Sequence, residues 1–283
     1  MIDILAAVLM AIFQGIIEWL PISSEGQLSL LFVTIYQMDQ VTAVTLALLL
    51  HLGTMMAVTW YFREYLREII DPRSQIAKIM ILSTLGTAIT AVPLVLLFKS
   101  SWVSLTEDLI LPADFIFTSL IGILLIITGL ILSKQPEQGS RDLPSLTSNE
   151  AFVLGLAQGI AALPGISRSG MTITFLLIIG LTHRDALKTS FLISIPAVLG
   201  ATGLEFLLNG FSLSVTGITI GEVYFTYPII LFSILLTALI GYITMDTLIK
   251  FKKIPYDKFC IGFGILTIAL GLLFFILQVV SQS

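Results

Sequence analysis

The chain has 283 residues, of which 57% are hydrophobic and 11% charged, with a formal net charge of −4. A mean hydropathy of +1.03 excludes a soluble globular domain and a disordered chain, and nothing in the charge suggests a nucleic-acid partner. The apolar stretches are long and do not alternate, so the class is a polytopic all-α membrane protein and not an outer-membrane barrel.

The first apolar stretch, Ile2 to Tyr36, takes in Gln14 and Glu18 and is broken at Pro21–Gly26. It lacks a basic n-region and is not read as a cleavable signal. Six stretches are long enough to span a bilayer, which needs about 20 apolar residues. They are Val41–Phe62, Ile76–Phe98, Ala113–Ser133, Ala186–Leu208, Pro228–Lys250 and Tyr256–Val279. A second interrupted stretch, Asn149 to Leu181, is broken at Pro164–Gly170. The Pro-, Gly- and Ser-rich segment Lys134–Asn149 reads as a linker, with Ser148 as the helix cap ahead of Glu150. The lone cysteine, Cys260, allows no intramolecular disulfide and no cysteine–histidine metal cluster.

Basic residues orient the spans. Arg63, Arg67, Arg73 and Lys78 follow the first span, Arg184 and Lys188 flank the fourth, and Lys250, Lys252, Lys253 and Lys258 follow the fifth. Residues 209–227 carry no Lys or Arg, and 99–112 carry only Lys99. The positive-inside rule places the basic loops in the cytoplasm and both termini outside. Each interrupted stretch must then enter and leave on one face, as a re-entrant helical hairpin.

The two broken segments match each other. Gln14, Gly15, Ile16, Ile22, Ser23 and Gly26 recur as Gln158, Gly159, Ile160, Ile166, Ser167 and Gly170, at a constant offset of 144 (158 − 14). The expected architecture is one integral-membrane domain over 1–283: repeat one at 1–134, a cytoplasmic linker at 135–148 and repeat two at 149–283. Each repeat has one hairpin and three transmembrane helices. Three spans per repeat is odd, so the repeats are inverted and a polar site is expected where they meet.

Ser23-Ser24-Glu25-Gly26 and Ser167-Arg168-Ser169-Gly170 each precede a fresh apolar half-helix, whose free N–H groups suit an anion. Arg168 adds a planar fork matched to phosphate oxygens. An arginine near mid-bilayer costs roughly 2.5–3.5 kcal/mol on insertion scales, so an idle one is disfavoured, though a structural ion pair with Glu18 or Glu25 would also explain it. Individual serines in membrane helices equally serve only to bond neighbouring helices. His51, alone within a span, reads slightly better as a satisfied intramembrane histidine. His183 reads as a solvated turn residue. Trp19, Trp60, Tyr61, Trp102 and Tyr227 read as interfacial anchors.

Gln14-x-x-x-Glu18, Leu20-Pro21-Ile22-Ser23-Ser24-x-Gly26 and Pro164-Gly165-x-Ser167-Arg168-Ser169-Gly170 together resemble the undecaprenyl-pyrophosphate phosphatase family of the bacitracin-resistance type, across essentially the whole chain. The resemblance implies a hydrolase that converts a polyprenyl diphosphate to the monophosphate carrier lipid and inorganic phosphate, in recycling for envelope synthesis. The plasma membrane is the expected location, with the site facing outside. By the resemblance, Glu18, Ser24 and Arg168 are catalytic, with Ser24 as nucleophile. Gln14, Ser23, Gly26, Gln27, His51, Ser167, Ser169 and Gly170 are expected to surround the substrate.

The sequence departs from that pattern where the family has a histidine after the serine pair; here the slot is Gln27. Glu25 is the nearest replacement for its proton chemistry and His51 a more distant one. Glutamates beside a diphosphate also suit Mg²⁺ or Ca²⁺, although no metal ligand set is assigned. The lipid diphosphate and surrounding lipids are the expected partners, and a homodimer is left open. The competing readings are a flippase or transporter of a phosphorylated polyprenyl lipid without hydrolysis, and an ion-coupled solute transporter.

Overall fold

A computed structural model describes residues 4–24, 26–28, 31–32, 40–107, 113–133, 139–163, 165–209, 212–213, 217–220, 223–250 and 255–282. The α-helices with described bounds are, in chain order, α1 (Ile4–Ile17), α2 (Gln40–Tyr61), α3 (Arg63–Glu68), α4 (Gln75–Glu107), α5 (Ala113–Leu132), α6 (Ser148–Ile160), α7 (Arg168–Ile178), α8 (His183–Asn209), α9 (Tyr227–Lys250) and α10 (Tyr256–Gln282). Every expected span is a helix. Five contain windows long and apolar enough to cross a bilayer, in α4, α5, α8, α9 and α10. The sixth, α2, has 22 residues, with side chains described from Leu46 onward. The chain is a predominantly helical, multi-pass membrane protein.

One element departs from the all-α expectation. Between α8 and α9 lies a three-stranded antiparallel sheet, β1 (Ser212–Leu213), β2 (Gly217–Ile220) and β3 (Val223–Thr226), in the order β1-β2-β3. Ile218 lies opposite Phe225, and Ser212 opposite Thr219. The reason is local. Gly217-Ile-Thr-Ile220 and Val223-Tyr-Phe-Thr226 are rich in β-branched and aromatic residues, and only two residues separate them, the length of a tight hairpin.

The helices pack in a reciprocal set. α4 lies along α6, and α1 lies along α9; α2 meets α8, and α5 lies along α10. Small residues permit the close approaches, as at Gly155, where an added Cβ would collide with the Ser83 backbone. Threonines bond across the same seams: Thr87 and Thr90 donate to Gly155 O and Leu156 O at 3.2 and 3.0 Å, and Thr237 donates to Ala11 O at 3.3 Å. The outer faces, such as Leu85, Ile89 and Leu96 on α4, expose apolar side chains suited to lipid.

Three further expectations change. Trp19 is no interfacial anchor: it is 1% exposed, donates its ring N–H to Gly241 O at 2.8 Å and meets Phe191 edge-on. His183 is not a solvated turn residue; its ring stacks on Tyr256 at the start of α8. The cap of α6 is Thr147, one residue before Ser148. Its hydroxyl accepts from Glu150 N–H while Glu150 accepts from Thr147 N–H, a reciprocal capping box. Arg141 closes this corner with a fork on Glu150, at 2.7 and 2.9 Å, and a bond to Ile179 O. That guanidinium, with the cap bonds, lowers the Glu150 carboxyl from its ordinary value to about 2. The linker is thereby fastened to the end of α7.

Candidate active site

The first broken segment begins where α1 ends. Leu20 N–H bonds Ile17 O and Ile22 N–H bonds Leu20 O, so the chain tightens through Pro21 before helical backbone resumes at Ser24. Ser23 adopts φ +57°, the only described non-glycine residue at positive φ. Such backbone costs of order 1–3 kcal/mol and persists only where surrounding packing enforces it. The buried Trp19 and Ile22 just before it, and a bond from Cys260 to Pro21 O, supply that enforcement.

The second segment turns through Gly165 (φ +97°), where any Cβ would also meet the Ile121 backbone, so glycine is required twice over. Ser167 is the N-cap of α7, its oxygen accepting from Gly170 N–H at 3.1 Å. Ser167 and Ser169 hydroxyls lie 3.3 Å apart, and Ser169 donates to Leu20 O at 3.2 Å. A hydroxyl chain therefore runs from the second tip to the backbone of the first.

Glu18 joins the two tips. It is 4% exposed, and its Oε1 pairs with Arg168. Its Oε2 accepts from Ser24 at 2.6 Å and from Gln14 Nε2 at 2.9 Å, and lies 3.0 Å from His51 Nε2. Arg168 also donates to Ser190 O at 3.3 Å. Ser24 Oγ lies 3.2 Å from His51 Nε2, and His51 Nδ1 lies 2.6 Å from Ala47 O. These groups line a cavity of about 230 Å³, with Glu18 and Arg168 as the charged residues of its described lining. Away from them the wall is small and apolar, including Ala88, Ala91 and Val95 of α4 and Ala197, Ala201 and Leu204 of α8. Polar head and oily channel are thus continuous.

The sequence-predicted residues divide. Glu18, Ser23, Ser24, His51, Ser167, Arg168 and Ser169 all line the cavity. Gln14 supports Glu18 from behind, and its Oε1 is buried without a partner. Gly26 and Gly170 serve backbone geometry, the latter through its bond to Ser167. Gln27 turns away, donating to Thr267 Oγ1 on α10 at 3.0 Å. Glu25 lies outside the described residues.

Sequence reasoning leaned towards His51 as an idle hydrogen-bonded histidine, whereas its ring nitrogen faces Ser24. It did not place Gln158, Thr84 or Thr87 at the site, yet all three line the cavity. Gln158 donates to Thr87 at 2.9 Å, and its Oε1 too is buried and unpartnered. Its signal was available, because Gln158 is the repeat partner of Gln14.

Both Glu18 oxygens are already occupied by Arg168, Ser24 and Gln14, so a cation there would displace one of them. Among the described residues no cluster of three or more His, Cys, Asp or Glu could bind a metal.

Residues 7–273 match the family described as bacitracin resistance protein BacA. The chain belongs to this family. Among its relatives is an undecaprenyl-diphosphatase of Methanothrix thermoacetophila, 39% identical, with 95% of this chain and 97% of that one covered. Proteins with the same name from Methanococcoides burtonii and Haloarcula marismortui are 34% and 32% identical, each over 95% of this chain and 98% of theirs. The BacA match takes in both tips, Glu18, Ser24, His51 and Arg168 included.

Proposed function

We propose that this BacA-family protein is an integral-membrane phosphatase that hydrolyses an undecaprenyl-type diphosphate to the monophosphate carrier lipid and inorganic phosphate. The observation that carries this reading is the convergence, across two hairpin tips, of a buried serine hydroxyl, a carboxylate and an arginine at the end of an apolar cavity. Relatives named undecaprenyl-diphosphatase support it.

The chemistry follows from the residues. Ser24 Oγ attacks the terminal phosphorus, and the bond to the bridging oxygen breaks, releasing prenyl monophosphate. Arg168 carries positive charge at the rim and stabilises the transferring phosphoryl group, helped by the N-terminus of α7. Glu18 holds both Ser24 and Arg168, so nucleophile and cation stay registered. The prenyl chain leaves along the apolar wall between α4 and α8. Both hairpins are read as re-entrant, in inverted repeats. The reciprocal packing supports this: exchanging the halves maps α1 on α9 onto α6 on α4, while α2–α8 and α5–α10 map onto themselves. The accepting carbonyls of Ala11 and Gly155 are also 144 apart (155 − 11). The site is read as facing outward, as the family resemblance implies, with the basic loops in the cytoplasm.

The test is phosphate release from a C55 polyprenyl diphosphate by purified protein in detergent, beside Ser24→Ala and with Mg²⁺, Ca²⁺ or chelator added. Release that depends on Ser24 is the expected result. Transbilayer movement of the lipid without any release would replace this reading with the flippase.

A further inference from the structure

We infer that His51, from the middle of a transmembrane helix, is the general base that takes the Ser24 proton; this rests on the phosphatase reading above.

The argument begins with the ring. A carbonyl oxygen only accepts, so the 2.6 Å contact between His51 Nδ1 and Ala47 O puts a proton on Nδ1. In the neutral imidazole that leaves Nε2 as the acceptor, and Nε2 is the nitrogen 3.2 Å from Ser24 Oγ. The same nitrogen lies 3.0 Å from Glu18 Oε2, which accepts the Ser24 hydroxyl at 2.6 Å, so the Ser24 proton turns from that carboxylate to Nε2 before it is transferred. Once Nε2 takes a proton it becomes a donor to that carboxylate, and an imidazolium forms beside a fixed negative charge. Base, nucleophile and orienting carboxylate thus stand in mutual contact, the arrangement that activates a hydroxyl.

The position of His51 is rigid. The residue is buried, at 7% exposure, and sits one turn beyond the carbonyl that fixes its tautomer. Two residues on, a Cβ at Gly53 would meet Ile234 O and Thr237 of α9, so α2 is pressed close enough to α9 to set its rotation. Glu18 is the competing base, since its Oε2 accepts the Ser24 hydroxyl at 2.6 Å, but its two oxygens are also held by Arg168 and Gln14. Gln27 is committed to Thr267 and has no proton to exchange near neutral pH.

The proton accounting closes with water alone. As Oγ bonds to phosphorus, its proton passes to Nε2 and on to the departing monophosphate oxygen. Water then attacks the phosphoserine, His51 takes the water proton and returns it to Oγ as the P–Oγ bond breaks, and inorganic phosphate leaves.

His51→Gln is the decisive variant, because glutamine keeps a polar side chain of similar reach without basicity. It is assayed in the full-length protein, with His183→Gln, the chain's other histidine, as control. Binding of a prenyl methylenediphosphonate, which cannot be cleaved, is measured in parallel. His51→Gln is expected to lower kcat by about 10²–10⁴-fold with KM little changed. Analogue binding persists, and His183→Gln behaves as native. Native-like turnover in His51→Gln overturns the inference and moves the proton to Glu18. Loss of analogue binding along with turnover also overturns it, because His51 then only supports the pocket. No phosphate release by the native protein is a different failure: it removes the phosphatase reading itself, and this inference with it.

Discussion

The two broken segments start from matching sequence and end in different conformations. Ser23 and Ser167 occupy equivalent slots, yet Ser23 takes a left-handed backbone while Ser167 caps α7 in an extended one. The next slot holds Ser24 in one tip and Arg168 in the other, and both bond Glu18. Gln14 and Gln158 remain alike, each buried with one amide oxygen unpartnered. The two matching segments thus supply two helix breaks and two buried glutamines. The difference at a single equivalent position sets a serine hydroxyl on one side of Glu18 and a cation on the other.

The comparison breaks most sharply at that slot. Replacing Arg168 with alanine is expected to lower phosphate release by about 10³-fold or more, the scale on which a phosphate-clamping arginine acts. Ser24→Ala should abolish it, and kcat measured with the C55 diphosphate checks both. If Arg168→Ala stays near native activity, the second tip is only scaffolding.

Next in size is the bond between the tips. Glu18→Gln leaves Arg168 without its counter-ion among buried groups, and breaking a buried pair from one side costs about 3–5 kcal/mol. A large drop in thermal unfolding temperature in detergent is expected. The double variant Glu18→Gln, Arg168→Met should recover part of the drop, since neither charge is then stranded.

A smaller effect separates the two strained turns. Gly165→Ala places a Cβ against the Ile121 backbone at φ +97° and is expected to destabilise by about 1–3 kcal/mol. Ser23, already a side-chain residue at positive φ, should tolerate alanine with less change in unfolding temperature.

The smallest effect tests whether the Arg141–Glu150 corner is independent of the tips. The Glu150 carboxyl titrates at about 2 instead of its ordinary 4.5, because Arg141 and the Thr147 cap favour its charged form. A folded value below the unfolded one stabilises the fold above pH 4.5, and that contribution is lost as pH falls towards 2. Glu150→Gln should therefore cost about 1 kcal/mol at neutral pH, typical of a lost cap, with the difference from native narrowing in acid. Unfolding curves across that range measure it, and phosphate release should be unaffected at neutral pH.

Much of the molecule was legible in its sequence. Long apolar runs predicted six helices to within a few residues, apart from the extension of α4 to Glu107, because a bilayer admits little else. The paired polar breaks marked both tips, and Arg168 marked the ionic partner. Local composition misled in places. Trp19 looked interfacial because tryptophan often is, while the packing of α1 against α9 buried it. The strands at 212–226 lie in a stretch whose missing charge was read for topology alone, although its β-branched residues carried the strand signal.

What the sequence determined by itself was the class of protein, the places where helices break and the kinds of group set there. Those follow from hydrophobicity and backbone chemistry, which act within a few residues. Which groups touch was decided by tertiary structure. Ser24 and His51 are 27 positions apart, Glu18 and Arg168 are 150 apart, and Gln27 was claimed by Thr267 at a separation of 240. No local rule reads such distances, because they are fixed only when α1, α2, α7, α8 and α10 pack together.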